Sequence, residues 1–446
     1  MRSASRVRVL LGLALPIILL RATQAAITFA DAIQVRHLGD RAIAATTGGG
    51  VNIAVLLLLP SGTVYMVQSF VAQLTGAGRQ DEAPRFAWYG LAIAALAATI
   101  MIASIPLIGP VLAQTGYSPA LRDEMNGYMS IRMWSVGAVL GAEVLGNWYG
   151  GLGNTRMQLL PGIITLVSAV FLNWMLIDGH LGAPAMGVDG AALASVLANV
   201  LGFGFLVVAF WRRWGGAPRA RTRGLAMSEL VRFVKLGLPH GVNWFLECAA
   251  FQIFVSVVLA SLGDETLTAM NLVLVINSIS YLPAFGIASA GAILAAQEIG
   301  RRDRDAVWPH VRAALVCSVT WMGGIGVIYA IFPGHVMSIF TSERSGQIVA
   351  IGTTMLLLAP VWQVTDAVFL TFCESLRAAG DTRWLALVRI GLAWLVLVPS
   401  AWLAVNRFGC GVLGAMLCMI TYNVFSLTAV AWRFWSGAWR RMNNIV

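Results

Sequence analysis

Long apolar stretches, each closed by charge, glycine or proline, recur along the whole chain. They fall near residues 9–34, 42–74, 86–112, 127–152, 157–179, 187–211, 230–261, 267–297, 310–334, 348–377, 384–405 and 410–435. An α-helix needs roughly 20 apolar residues to cross about 30 Å of hydrocarbon. Every run reaches that length. The pattern predicts an all-α integral membrane protein of twelve transmembrane helices. Several runs are long enough that tilt, or extension beyond the bilayer, is expected.

The runs form two similar sets of six. At an offset near 224 residues, Pro16 matches Pro239, and Leu38-Gly39-Asp40 matches Leu262-Gly263-Asp264. Gln73 and Gly76 match Gln297 and Gly300, and Asp81 matches Asp305. Gly153-Asn154-Thr155-Arg156 matches Gly380-Asp381-Thr382-Arg383, and Val188, Gly190 and Ala191 match Val412, Gly414 and Ala415. The longest polar linker, rich in Arg and Gly, lies between the sets at 212–235. This divides the chain into an N-lobe at 1–211, a cytoplasmic linker at 212–229 and a C-lobe at 230–446. Six is even, so both copies enter the membrane the same way. They should be parallel, related by an axis along the membrane normal, with a substrate site between them or inside each lobe.

Charge orients the array. With the N-terminus inside, 23 Lys and Arg residues fall in inside segments and six (Arg36, Arg41, Arg122, Arg132, Arg344 and Arg407) in outside ones. The inside set includes Arg2, Arg221, Arg223 and Arg389; Arg21 is within the first run. Cytoplasmic loops carry the excess of basic residues, so both termini are expected in the cytoplasm. The basic first run could pass for a signal peptide, but its repetition later in the chain marks it as a retained helix.

Composition strengthens the assignment. Of 446 residues, 58% are hydrophobic and 11% charged, against about 25% charged in a soluble domain. The net charge of +10 is that of basic loops, with no nucleic acid needed as partner. The five cysteines lie in or beside apolar runs, with neither metal spacing nor a disulfide pattern.

Ionisable residues inside a membrane are costly and tend to face the bundle interior. Here they are Arg21, Asp31, Glu143, Glu247, Asp366 and Glu374. At 100° per residue, Arg21, Gln24, Thr28 and Asp31 share an arc of about 80°. His240, Asn243 and Glu247 share about 60°, and Gln363, Asp366, Glu374 and Arg377 about 80°. Glu143, Asn147 and Asn154 align in the fourth run. Such stripes suit a water-filled cavity. Glu374 is three residues before Arg377 and reads as a structural pair. Glu143 can be capped by Asn147. Arg21 is about 15 Å along the axis from Asp31, too far to pair with it in that helix. Asp31, Glu247 and Asp366 have no basic neighbour one turn away in their own helices. A carboxyl buried without a cation holds its proton more tightly than in water, so it can exchange one near neutral pH. Alternatively, carboxylates with Asn and Gln oxygens can coordinate Na⁺, here at Glu247 and Asp366. Either would couple transport to an ion gradient. HExxH, GxSxG and a Cys/His nucleophile arrangement are all missing from the sequence, so an intramembrane enzyme is not expected; nor is any cofactor beyond the coupling ion.

The duplicated pattern resembles the MATE family, the multidrug and toxic compound extrusion transporters, over nearly the whole chain. The resemblance rests on Leu15-Pro16, Asp31 followed by Leu38-Gly39, and Gly76-Ala77-Gly78 in the first half. In the second it rests on Leu236-Gly237-Leu238-Pro239, Phe245-Leu246-Glu247, Leu262-Gly263 and Ala378-Ala379-Gly380-Asp381-Thr382-Arg383. It implies two six-helix lobes around a cleft with alternating access, and export of cationic amphipathic drugs or metabolites by a monomer in exchange for Na⁺ or H⁺. Asp31 matches the family's first-helix aspartate and Asn173 a polar position of the N-lobe site. Glu247 and Asp366 match carboxylates of the NorM-like branch. Gln24, Thr28, Gln34, Asn243, Asn271, Gln363 and Glu143 are the expected substrate-cavity residues, Asn271 standing where many members place Gln. Ala169 replaces a residue often Asn, which moves the expected coupling towards the C-lobe. The alternative is a lipid-linked oligosaccharide flippase of the same superfamily, which would need several membrane-embedded arginines; Arg21 is the one evident in the sequence.

Overall fold

The computed structural model of the protein describes residues 3–219, 224–340, 346–442 and Ile445. Arg2, Arg221, Arg223 and Arg344 of the charge count lie outside the described residues.

The described chain is almost wholly helical. Ten of its helices are long and apolar enough to cross a membrane, and the bent pair Gly346–Leu357 and Ala359–Ala378 makes an eleventh. The run expected at 127–152 is also helical, but it is built from Pro119–Arg132, a single 3₁₀ turn Met133–Ser135, and Val136–Gly151. It is not among the ten, and it carries Arg132 and Glu143 within the run.

Backbone geometry repeats along with the sequence. Gly39 and Gly263 both take positive φ (99° and 112°) where one helix ends and the next begins. Gly187 and Gly411 do the same at 57° and 59°, and Gly153 and Gly380 at 84° and 88°. The repeat also imposes this conformation on two arginines. Arg302 (φ 64°) answers Gly78 (72°), and Arg213 (58°) answers Gly437 (68°). A left-handed residue closes a helix by turning the chain back on its last carbonyls. Helix ends therefore recur in the same places even where glycine is lost.

The chain forms two compact units. One holds Leu19–Gly241; the other holds the first helix as far as Ile18 together with Val242 onward. Each border lies inside a helix, two residues past the matched prolines Pro16 and Pro239, and not in the linker that separates the sequence repeats. Glycine packing accounts for these memberships. A Cβ on Gly62 would sit 2.6 Å from the Gly241 Cα, and one on Gly237 would sit 2.6 Å from the Thr63 carbonyl oxygen. Met227–Gly241 therefore lies backbone-to-backbone against the Asp40–Tyr65 helix. In the other unit, a Cβ on Gly286 would come within 2.6 Å of Ile18. The linker's end is fastened to the first unit by polar contacts. Arg85 pairs with Glu229 at 2.8 Å and with Glu82, and the Tyr89 hydroxyl donates to Glu229 at 2.9 Å.

Candidate functional site

In the Leu19–Gly241 unit, Asp31 and Asn173 each lie about one turn from the end of their helices, Ser3–Val35 and Thr155–Asp178. Beyond them, Val35, Ala42, Ile177 and Ala191 close a small apolar cluster that locks the two helix ends together. This brings the side chains into register. The Asn173 amide donates to Asp31 Oδ1 at 2.6 Å and to Gln34 Oε1 at 3.0 Å. Gln34 in turn donates to the Val170 carbonyl at 2.9 Å. Asn173 is fully buried, and its own Oδ1 accepts no hydrogen bond among the described residues. A buried amide oxygen left unmatched beside a carboxylate is costly. It is also an acceptor ready for a proton carrier or a cation. Arg132 lies within electrostatic reach of Asp31 and donates to the Tyr128 hydroxyl at 3.1 Å.

Other expected cavity residues of this unit go elsewhere. Gln24 and Thr28 are exposed. Gln24 accepts from Arg21 at 3.0 Å, and the Thr28 hydroxyl bonds back to the Gln24 carbonyl at 3.3 Å. Glu143 meets the Ser61 hydroxyl and the field of Arg21. The fourth-run stripe does not form. Gly153 turns the chain, and Asn154 becomes the N-cap of the next helix, accepting from the Met157 amide at 3.2 Å. Asn147 accepts from Gln158 at 3.4 Å, and the hydroxyl that meets Glu143 is that of Ser61, so Asn147 does not cap it.

In the other unit, Glu247 meets a partner that its own helix does not supply. Arg389, from the helix Thr382–Leu392, places Nη2 against Glu247 Oε1 in a tight ion pair. The Tyr422 hydroxyl donates to the same oxygen at 3.1 Å, and the guanidinium lies 4.7 Å over the Phe369 ring. Two local features aim Arg389. Its helix passes into a π-helical turn at Ala393–Leu397, and Trp394 in that turn donates to the Leu246 carbonyl at 3.0 Å. Asp366 is half-buried and lies in the field of both Glu247 and Arg389.

The expectation of unpaired carboxylates is therefore corrected for Glu247, and Asp31 and Asp366 each have an arginine in reach. The partners come from other helices, 142 residues away for Arg389, where in-helix spacing says nothing. Arg389, one of the expected inside charges, lies within the spanning helix Thr382–Arg407. The tenth-helix stripe is not a wetted surface throughout. Gln363, Glu374 and Arg377 are buried, and Glu374 and Arg377 form the structural pair at 2.6 Å. Gln363 donates to Asn277 at 2.8 Å and Ser280 at 2.7 Å. Asn277, and not the expected cavity residue Asn271, is the asparagine of this helix that joins the network. Six residues apart on one helix, the two point about 120° apart, and Asn271 is exposed. Asn243 is buried with its Oδ1 unmatched. Among the described residues no group of three or more His, Cys, Asp or Glu side chains could hold a metal ion.

Comparison with known proteins agrees with this architecture. The MatE family model matches residues 16–175 and again residues 239–403. The "Multidrug resistance protein NorM" of Aliivibrio fischeri is 25% identical over 405 residues, covering 88% of this chain and 85% of that protein. Among solved structures, one neighbour is a MOP superfamily transporter from Pyrococcus furiosus, described as having a binding pocket of reverse polarity that suggests a different function. It superposes with a TM-score of 0.89 at 19% identity, over 98% of this chain and 97% of that one. An outward-facing multidrug resistance MATE transporter gives a TM-score of 0.88 at 18% identity, covering 99% of each.

Proposed function

The chain belongs to the MatE family of multi-pass membrane transporters, and we propose that it is a cation-coupled antiporter that exports cationic amphipathic drugs or metabolites by alternating access. The observation that carries this reading is the Asp31–Asn173–Gln34 cluster. A carboxylate held by one buried amide, beside an unmatched amide oxygen, can take up and release a proton or a small cation as transport proceeds. The name of the Aliivibrio relative supports drug export, and the basic loops support cytoplasmic termini in a bacterial inner membrane. Coupling is assigned first to Asp31. Glu247 and Asp366, which share Arg389, are assigned second. The test is dye efflux from proteoliposomes under separately imposed Na⁺ and H⁺ gradients, with Asp31→Asn as control. Transport insensitive to both gradients and to Asp31→Asn would sink the reading.

One observation favours the second reading, a flippase for lipid-linked oligosaccharide. Arg132 and Arg389 join Arg21 among arginines that the helices carry. Each, however, has a carboxylate in its field: Asp31 for Arg132, Glu247 for Arg389 and Glu143 for Arg21. A net cationic surface for pyrophosphate does not result. A deletion strain that accumulates lipid-linked sugar intermediates would reverse the preference.

A further inference from the structure

We propose that Arg389 is a tethered cation standing where a free one would bind at Glu247, so that this carboxylate takes no Na⁺. The inference rests on the antiporter reading, which is what gives a cation at Glu247 its meaning.

The residues there do not fit a Na⁺ site. Glu247 Oε1 already receives the Arg389 guanidinium and the Tyr422 hydroxyl. The pair is largely shielded from solvent, with side-chain exposure of 24% for Glu247 and 16% for Arg389. A second positive charge would have to displace the first or sit beside it in a poorly screened setting, where like charges repel strongly. The guanidinium has one further contact, while its buried Nε finds no acceptor among the described residues. Phe369 presents a ring face to it, and the π-helical turn and the Trp394–Leu246 bond fix the helix that carries it. Glu247 and Asp366 are the carboxylates in its field, with the hydroxyls of Tyr281 and Tyr422 and the Cys373 thiol.

The repeat supports a built-in role. Glu247 stands eight residues after Pro239, and Gln24 stands eight after Pro16. The matched side chain is neutral in one half and charged in the other, and each accepts from an arginine: Gln24 from Arg21, Glu247 from Arg389. The negative charge of the second half comes with its own counter-ion, supplied by a helix that contributes no such group in the first.

The test is ²²Na⁺ binding to the purified full-length protein in nanodiscs, with choline as the control cation. In the otherwise unchanged protein, Glu247→Gln leaves Na⁺ binding as it was. Arg389→Ala and Arg389→Gln each add one saturable Na⁺ site, which Glu247→Gln removes again. Arg389→Lys, which keeps a tethered charge, adds none. The proposal is overturned if Glu247→Gln alone removes a Na⁺ site, if Arg389→Lys gains one, or if Arg389→Gln melts and elutes like the parent and gains none. Failure of dye export would overturn the antiporter reading and leave these binding results standing.

Discussion

Asn173 donates its amide to the Asp31 carboxylate at 2.6 Å across 142 residues of sequence, and the same amide reaches Gln34 at 3.0 Å. A hydrogen bond to a charged group contributes about 1.5–3 kcal/mol, which is roughly a tenfold or greater change in an equilibrium. Asp31→Asn should abolish gradient-driven efflux in proteoliposomes. Asn173→Ala should lower it about tenfold or more. Asp31→Asn, which keeps the side chain's shape, should melt close to the parent, whereas Asn173→Ala, which removes a fully buried double donor, should also lower the thermal midpoint.

Glu374 and Arg377 test a different kind of charge. The pair is 4% and 1% exposed, and breaking a buried pair by removing one partner costs about 3–5 kcal/mol. Arg377→Met should lower the thermal midpoint of the detergent-solubilised protein sharply. The double change Glu374→Leu with Arg377→Met should recover much of that loss. If the single change melts like the parent, the pair is not the structural element described.

Gly62 and Gly241 mark the close crossing of the Asp40–Tyr65 helix with Met227–Gly241. Added methyl groups there meet backbone, which cannot swing aside as a side chain can. Gly241→Ala should cost about 1–3 kcal/mol through overpacking, read as a lower thermal midpoint and reduced yield of folded protein. Gly12→Ala, where nothing lies within 4 Å, is the matched control and should leave the midpoint unchanged or slightly raised.

Asn277 anchors Gln363 and also accepts from the Trp362 indole at 3.4 Å. Asn277→Ala leaves part of a buried polar network unmatched, which costs about 1–3 kcal/mol. The expected signature is a lower melting temperature with Na⁺ binding unaltered. A change in Na⁺ binding would show that this network belongs to the coupling site.

Much of the frame was legible in the chain. Hydropathy located the helices, because each must hide its own backbone from lipid. The matched Leu-Gly-Asp and Gly-Asn/Asp-Thr-Arg segments marked the repeat, and positive-φ glycines now stand at both. The Glu374–Arg377 pair was readable because its partners are three residues apart on one helix. Three things were not. Arg389 counts among the inside charges of the sequence, Asn277 carries no local signal that sets it apart from Asn271, and Asn154 aligns with a cavity stripe. Each was hidden for one reason: helical spacing reports neighbours within a helix, and these contacts or breaks depend on where other helices lie or where a turn falls.

Sequence alone determined that this is a duplicated, all-helical membrane protein with carboxylates in its helices, since lipid punishes exposed charge and open backbone residue by residue. Tertiary structure decided which carboxylate stands beside an amide and which beside an arginine. It also decided that the compact units divide two residues past Pro16 and Pro239 and not at the linker. Those outcomes turn on contacts between groups more than a hundred residues apart, and on glycines that let backbones approach, neither of which leaves a local pattern in the chain.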